Sequence, residues 1–133
     1  IYVLPFDIET RKVWKTFNGE KTYDLIMNIN NEIPNGGTNI YQCVYDAFKI
    51  LEGVSNDYNK TVILMTDGAS TTSSYSNLAL YYDNNNLDIP VYSIMFGSAT
   101  REQLDKLANL TNAKVFDGKT NLKSAFKEVR SYN

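Results

Sequence analysis

Val62-Ile63-Leu64-Met65-Thr66-Asp67-Gly68 decides the fold. The apolar run from Thr61 to Thr66 has the length of a strand and no polar alternation. It therefore reads as a strand buried on both faces, the habit of parallel sheets. Asp67-Gly68 ends it as a turn pair. A carboxylate thus stands at the carboxyl end of a buried strand, where open α/β sheets bind ligands.

The same grammar extends toward the C-terminus. Gly68 to Ser76 is Gly, Ala, Ser and Thr with Tyr75, and reads as a loop. Leu78 to Leu87 reads as a helix, weakened at its end by Asn84-Asn85-Asn86. Pro90 introduces a second buried strand, Val91 to Phe96, closed by Gly97. Thr100-x-x-Gln103 has the spacing of a capping box and opens a helix through Leu104, Leu107 and Ala108. Lys114 to Phe116 is a short strand ending at Asp117-Gly118. Leu122, Ala125, Phe126 and Val129 give a last amphipathic helix.

Toward the N-terminus, Ile40, Val44, Ala47, Phe48 and Leu51 form an apolar stripe at helical spacing, starting from Asn39 and stopped by Gly53. Thr22 to Glu32, with Leu25, Ile26 and Ile29, reads as another helix, ended by Ile33-Pro34-Asn35-Gly36-Gly37. Ile1 to Phe6 and Arg11 to Phe17 flank the turn Asp7-Ile8-Glu9-Thr10 as a hairpin whose second strand is an edge. Strands alternating with helices predict one α/β domain over 1–133. Its sheet is Rossmann-like and mostly parallel, with helices on both faces and an antiparallel edge hairpin.

Composition narrows the function. The formal charge of −2 and the scatter of Lys and Arg argue against a nucleic-acid partner. Arg11-Lys12 and Lys15 read as a solvated basic edge. The chain has no histidine, which removes His-based triads and His-ligated metal sites. Cys43 is the single cysteine, so no internal disulfide forms, and its helical setting predicts a buried thiol. No apolar run approaches the ~20 residues of a membrane helix. Asn59-Lys60-Thr61 and Asn109-Leu110-Thr111 are glycosylation sequons of the kind an Asn-rich chain contains by chance.

Two residues carry the candidate chemistry. Thr38, in Asn35-Gly36-Gly37-Thr38-Asn39, is a hydroxyl on a glycine turn that opens a helix. Asp67 is the strand-end carboxylate. Both are oxygen donors of the kind a hard divalent cation takes. Taken singly, each has a plainer explanation: Asp-Gly is a common turn, and Thr38 or Asn39 would serve as a helix cap.

In combination, Gly-Gly-Thr-Asn before an amphipathic helix, then an apolar strand ending Thr-Asp-Gly, resembles the von Willebrand factor type A family. Ile89-Pro90-Val91-Tyr92-Ser93-Ile94-Met95-Phe96-Gly97 resembles its fifth strand, and Ile1 to Phe6 its second. The resemblance implies a protein-binding or adhesion module, with no enzymatic activity. It implies a metal-ion-dependent adhesion site built from an Asp-x-Ser-x-Ser loop, a Thr and an Asp. Thr38 and Asp67 match the last two. Mg²⁺ is the implied cofactor, with Mn²⁺ or Ca²⁺ as substitutes. The implied partner is a protein ligand whose carboxylate completes the metal shell, with Asn39, Tyr41 and Ser70 on the rim. The polar loop Ala69 to Ser76 would border them. Family habit places such a domain outside the cell or on a bacterial surface, and a cytoplasmic setting stays open.

The chain departs from the pattern in one respect. Asp-x-Ser-x-Ser does not occur in the 133 residues, and Asp7-Ile8-Glu9-Thr10 is a poor imitation. The first strand, its metal loop and the first helix are therefore expected to lie before Ile1. Without that central strand the sheet has two open edges, which are costly and adhesive. Three outcomes follow: a longer native protein, a strand from a second chain (self-association through the edges included), or direct pairing of the two halves. Metal affinity is expected to be weak or absent in these residues alone. Two other functions compete. One is a structural or assembly domain without a working metal site. The other is a metal-dependent phosphohydrolase, for which Met65 stands where the nucleophilic Asp is needed.

Overall fold

The computed structural model describes residues 1–71 and 74–132. In chain order the elements are β1 (Tyr2–Val3), β2 (Trp14–Lys15), α1 (Thr22–Asn30), α2 (Ile40–Glu52), β3 (Val62–Thr66), α3 (Tyr75–Asn84), β4 (Val91–Met95), α4 (Arg101–Leu110), β5 (Val115–Asp117) and α5 (Leu122–Arg130). The strands form a parallel sheet ordered β3-β4-β5 and an antiparallel pair β1-β2. The α/β class and the element order are those predicted above.

The parallel sheet is covered on both faces. One face carries α2, α3 and α4 over a core of Ile40, Val44, Phe48, Leu64, Leu78, Val91, Met95, Leu104 and Leu107. On the other face α5 packs Ala125 and Val129 against Tyr92, Ile94 and Phe116. All five residues of β4 are buried because it lies between two strands and two helical layers. The expectation that β3 is likewise buried on both faces needs correction. β3 is an edge strand, and Met65 is 36% exposed. Side chains alternate along a strand, so Met65 shares the α5 face with Ile63, beyond the reach of that helix.

The hairpin is present but is not an edge of the parallel sheet. Tyr2 pairs with Lys15 and Val3 with Trp14, and no strand joins this pair to β3 among the described residues. Among the described residues, the two half-sheets do not pair directly. Contact between the parts runs instead through side chains and loops. Phe6 packs against the core, and the Thr10 hydroxyl donates to Asp46 of α2 at 2.7 Å.

Helix α1 forms where its periodicity predicts, yet none of its residues is buried. It starts from Lys21 in a left-handed conformation, without a side-chain cap. Tyr23, Ile26, Met27 and Ile29 stay exposed. Helix α3 lies one turn earlier than predicted, at Tyr75–Asn84 rather than 78–87. The asparagine run causes this: Asn85 caps the helix and Asn86 turns left-handed at φ 47°, a conformation asparagine tolerates.

Candidate functional site

The sheet is parallel, so the loops after β3, β4 and β5 emerge at one end. The glycine turn that precedes α2 meets them there. Gly36 has φ +84°, and a Cβ on it would lie 3.2 Å from the Asp7 carboxylate, so a side chain would be doubly disfavoured. Arg11 fastens this turn. Its guanidinium donates to the carbonyls of Ile33 and Asn35, each at 3.0 Å, and to Asp7 at 2.6 Å. Arg11 is thus a staple rather than part of a solvated basic edge, and Lys12 pairs with Glu32 at 3.1 Å.

Asn39, not Thr38, caps α2. Its side-chain oxygen accepts from the Gln42 N–H at 3.2 Å and from the Ser74 hydroxyl at 3.1 Å. Its amide donates to the Ile8 carbonyl at 3.3 Å, and its backbone N–H to the Asp7 carbonyl at 2.6 Å. With capping assigned to Asn39, the Thr38 hydroxyl has no hydrogen-bond partner among the described residues.

The glycine turn bearing Thr38 reaches the turn that follows β3. Thr38 Oγ1 stands 3.3 Å from the point where a Cβ on Gly68 would lie, directly after Asp67. The Thr38 carbonyl is the anchor for the loop that follows. It accepts from the Thr71 N–H at 2.8 Å, the Thr71 hydroxyl at 3.2 Å and the Ser70 hydroxyl at 3.4 Å. On its other side Asp67 is held by the loop after β4. The Asp67 carbonyl accepts from the Ser98 N–H at 2.9 Å and the Ser98 hydroxyl at 3.1 Å. Gly97, at φ +55°, makes this approach possible, since a Cβ there would sit 2.9 Å from that of Asp67. The Asp67 side chain itself is exposed, and its carboxylate has no hydrogen-bond or ion-pair partner among the described residues.

The three rim residues differ. Ser70 is half-buried beside Thr38. Asn39 is buried and occupied as described. Tyr41 is 3% exposed, its ring edge-on to Tyr75 at 5.4 Å, so it packs inward from the first turn of α2 rather than standing on the rim. Within the polar loop Ala69 to Ser76, Thr72 and Ser73 lie outside the described residues.

The donor set matches a hard cation in kind but not in number. Mg²⁺ takes about six oxygens, and Thr38 and Asp67 offer a neutral hydroxyl and one carboxylate. Asp7 is the next acid near the glycine turn, but it is committed. The Glu9 N–H and the Arg11 guanidinium hold its carboxyl below the usual range, the Glu9 hydrogen bond being the larger cause. No cluster of three or more acidic, histidine or thiol side chains forms among the described residues.

Sequence reasoning missed Gln103. It lies at capping-box spacing, yet Thr100 makes no side-chain cap bond. The Gln103 carboxamide instead accepts from the Ser70 N–H at 2.6 Å and donates to the Ser70 carbonyl at 3.0 Å. A glutamine at this spacing can turn back to cap or reach outward, and only a neighbouring backbone decides which. The thiol of Cys43 meets expectation: it is buried, and burial pushes its pKa up to about 12.

Comparison with known proteins gives two findings. The family model of the von Willebrand factor type A domain matches residues 1–131. Among solved structures, the chain is similar to proximal thread matrix protein 1 from the mussel byssus, crystal form 2. That likeness has a TM-score of 0.60 at 20% identity, over 96% of this chain and 33% of the other. At this identity the likeness speaks to fold alone, and the chain spans about a third of that protein's length. No curated protein matches the chain.

Proposed function

This chain belongs to the von Willebrand factor type A family, a family of protein-interaction modules, and from that premise we propose that it binds a protein ligand at the end of the sheet bearing Thr38 and Asp67. Mg²⁺ is the bridging ion, with Mn²⁺ or Ca²⁺ able to substitute, and a carboxylate of the partner supplies part of the shell. The observation that carries this reading is that the Thr38 hydroxyl reaches the Asp67-Gly68 turn at the carboxyl end of a parallel sheet, where the exposed Asp67 carboxylate has no partner among the described residues. Ser70 is the rim residue best placed to touch a ligand. With two donors, the affinity of residues 1–133 for the ion alone is low.

Titration with Mn²⁺, followed by paramagnetic broadening of backbone amide signals, tests the site. Broadening centred on Thr38, Asp67 and Gly68, and abolished in Asp67→Asn, is the expected result. Broadening spread evenly over surface carboxylates, or unchanged in that variant, would sink the metal reading.

A second reading has its own support. The committed Asp7 and the lack of a three-acid cluster among the described residues favour a structural or assembly domain without a working metal site. An extracellular or bacterial-surface setting suits both readings. No helix among the described residues is long and apolar enough to cross a membrane. Partner binding that persists unchanged in excess EDTA selects the structural reading. The phosphohydrolase reading is the weakest, because Met65 supplies no nucleophile. Phosphoester turnover lost in Asp67→Ala would revive it.

A further inference from the structure

We propose that Gln103 of α4 is a positioning residue for the Thr38–Asp67 face, setting the separation of the two donors through the backbone of Ser70. The inference rests on the reading of that face given above.

A primary carboxamide has one acceptor and one donor edge, the same pair a peptide unit presents along a strand. Gln103 offers both edges to one residue, at 2.6 Å from the Ser70 N–H and 3.0 Å from the Ser70 carbonyl. Ser70 is thereby fixed to α4 as an added strand residue would be. The next link runs from this loop to the glycine turn, where Ser70 and Thr71 place three donors on the Thr38 carbonyl. Asn39 then carries the connection to Asp7 and Ile8. β1-β2 and β3-β4-β5 share no ladder among the described residues, so this series of hydrogen bonds, beside the packing of α2 on the sheet, ties the turn bearing Thr38 to the strand bearing Asp67. The segment that leads into α4 also holds Asp67 from the opposite side, through Gly97 and Ser98. Both flanks of the Asp67 loop are therefore referenced to α4, whose Leu104 and Leu107 are fixed in the core. Groups that orient metal ligands from behind typically alter affinity by about 10–100-fold when removed.

Two variants separate positioning from mere folding. Gln103→Met keeps length and helix propensity but removes both hydrogen bonds, and Gln103→Glu keeps only the acceptor. The decisive readout is amide hydrogen exchange at Thr71, whose own acceptor, the Thr38 carbonyl, neither variant touches. The expected result is exchange at Thr71 about tenfold or more faster in Gln103→Met and intermediate in Gln103→Glu, with Ile94 in β4 unchanged. Mn²⁺ affinity, read from Asp67 broadening, should fall in the same order. Unchanged Thr71 exchange in Gln103→Met overturns the proposal, whatever the ion does. Faster exchange with unaltered Mn²⁺ affinity also overturns it. If the wild-type chain binds no Mn²⁺, the metal reading fails by itself. The ordered loosening of Thr71 then still supports Gln103 as the residue that positions Thr38, and its absence rejects it.

Discussion

Residues 1–38 and residues 39–132 are two regions of one chain with unlike interiors. The first bury a single side chain, Thr16, while every buried apolar side chain lies between Ile40 and Val129. Helices α1 and α2 make the contrast concrete. Both carry apolar residues at helical spacing, yet α2 buries Ile40, Val44 and Phe48 whereas α1 buries none. An amphipathic pattern specifies a helix with a face to cover; it does not supply the cover. The first region is held to the second by polar fastenings, Asn39 on Asp7 and Ile8, Ser70 and Thr71 on the Thr38 carbonyl, and Thr10 on Asp46, while Arg11 secures the glycine turn within the first region.

The comparison predicts unequal responses to equal chemistry. Phe48→Ala, at a fully buried site, should cost about 3–5 kcal/mol in urea unfolding. Ile26→Ala, on exposed α1, should change stability by no more than about 0.5 kcal/mol. Comparable losses in the two variants would mean that α1 is packed in solution, and the contrast would be void.

Removing a fastening should act on one region before the other. Asn39→Ala removes the cap of α2 and the amide bond to Ile8, at a cost of about 1–3 kcal/mol. Trp14, the single tryptophan, lies in β2 and reports the hairpin, while far-UV circular dichroism reports chiefly the helices. In this variant the Trp14 transition should precede the dichroism transition. Coincident transitions would show that the two regions unfold as one.

Acid should loosen the first region from within. The Asp7 carboxyl is held below its ordinary value of 3.8, first by the Glu9 N–H and then by Arg11. A carboxylate favoured in the folded state stabilises it fully above that value. The contribution is lost as pH falls through the lower, folded pKa. Trp14 emission should therefore change only below about pH 3.8 in the wild type, and at higher pH in Arg11→Met. Superimposable acid titrations would remove Arg11 from the fastening.

The smallest effect belongs to the well-packed region. Ser93 is fully buried in β4, and its hydroxyl has no hydrogen-bond partner among the described residues. Ser93→Ala should leave stability unchanged or raise it by up to about 1 kcal/mol, because an unpaired buried hydroxyl is removed. A loss above about 1 kcal/mol would indicate a partner for that hydroxyl.

The legible parts of this protein were those written in local code. The run at Thr61 to Thr66, the stripe from Ile40 to Leu51 and the breaks at Gly53 and Gly97 determined strands, helices and their order. That order, on a parallel sheet, was enough to nominate Thr38 and Asp67 for one end of the molecule. Three matters depended on residues distant in sequence, and only the tertiary structure decided them. The hairpin forms its own ladder because pairing depends on which edges meet, and no local pattern encodes that. Arg11 staples the glycine turn, and Gln103 bonds Ser70 rather than its own helix end, because a carbonyl or amide from another segment lies within reach. Asn39 takes the cap and leaves the Thr38 hydroxyl without a partner among the described residues, although both residues can cap, because Asn39 also reaches Ile8 and Ser74. Sequence fixes which groups a segment carries; the packing of other segments against it settles which of those groups remain free to bind.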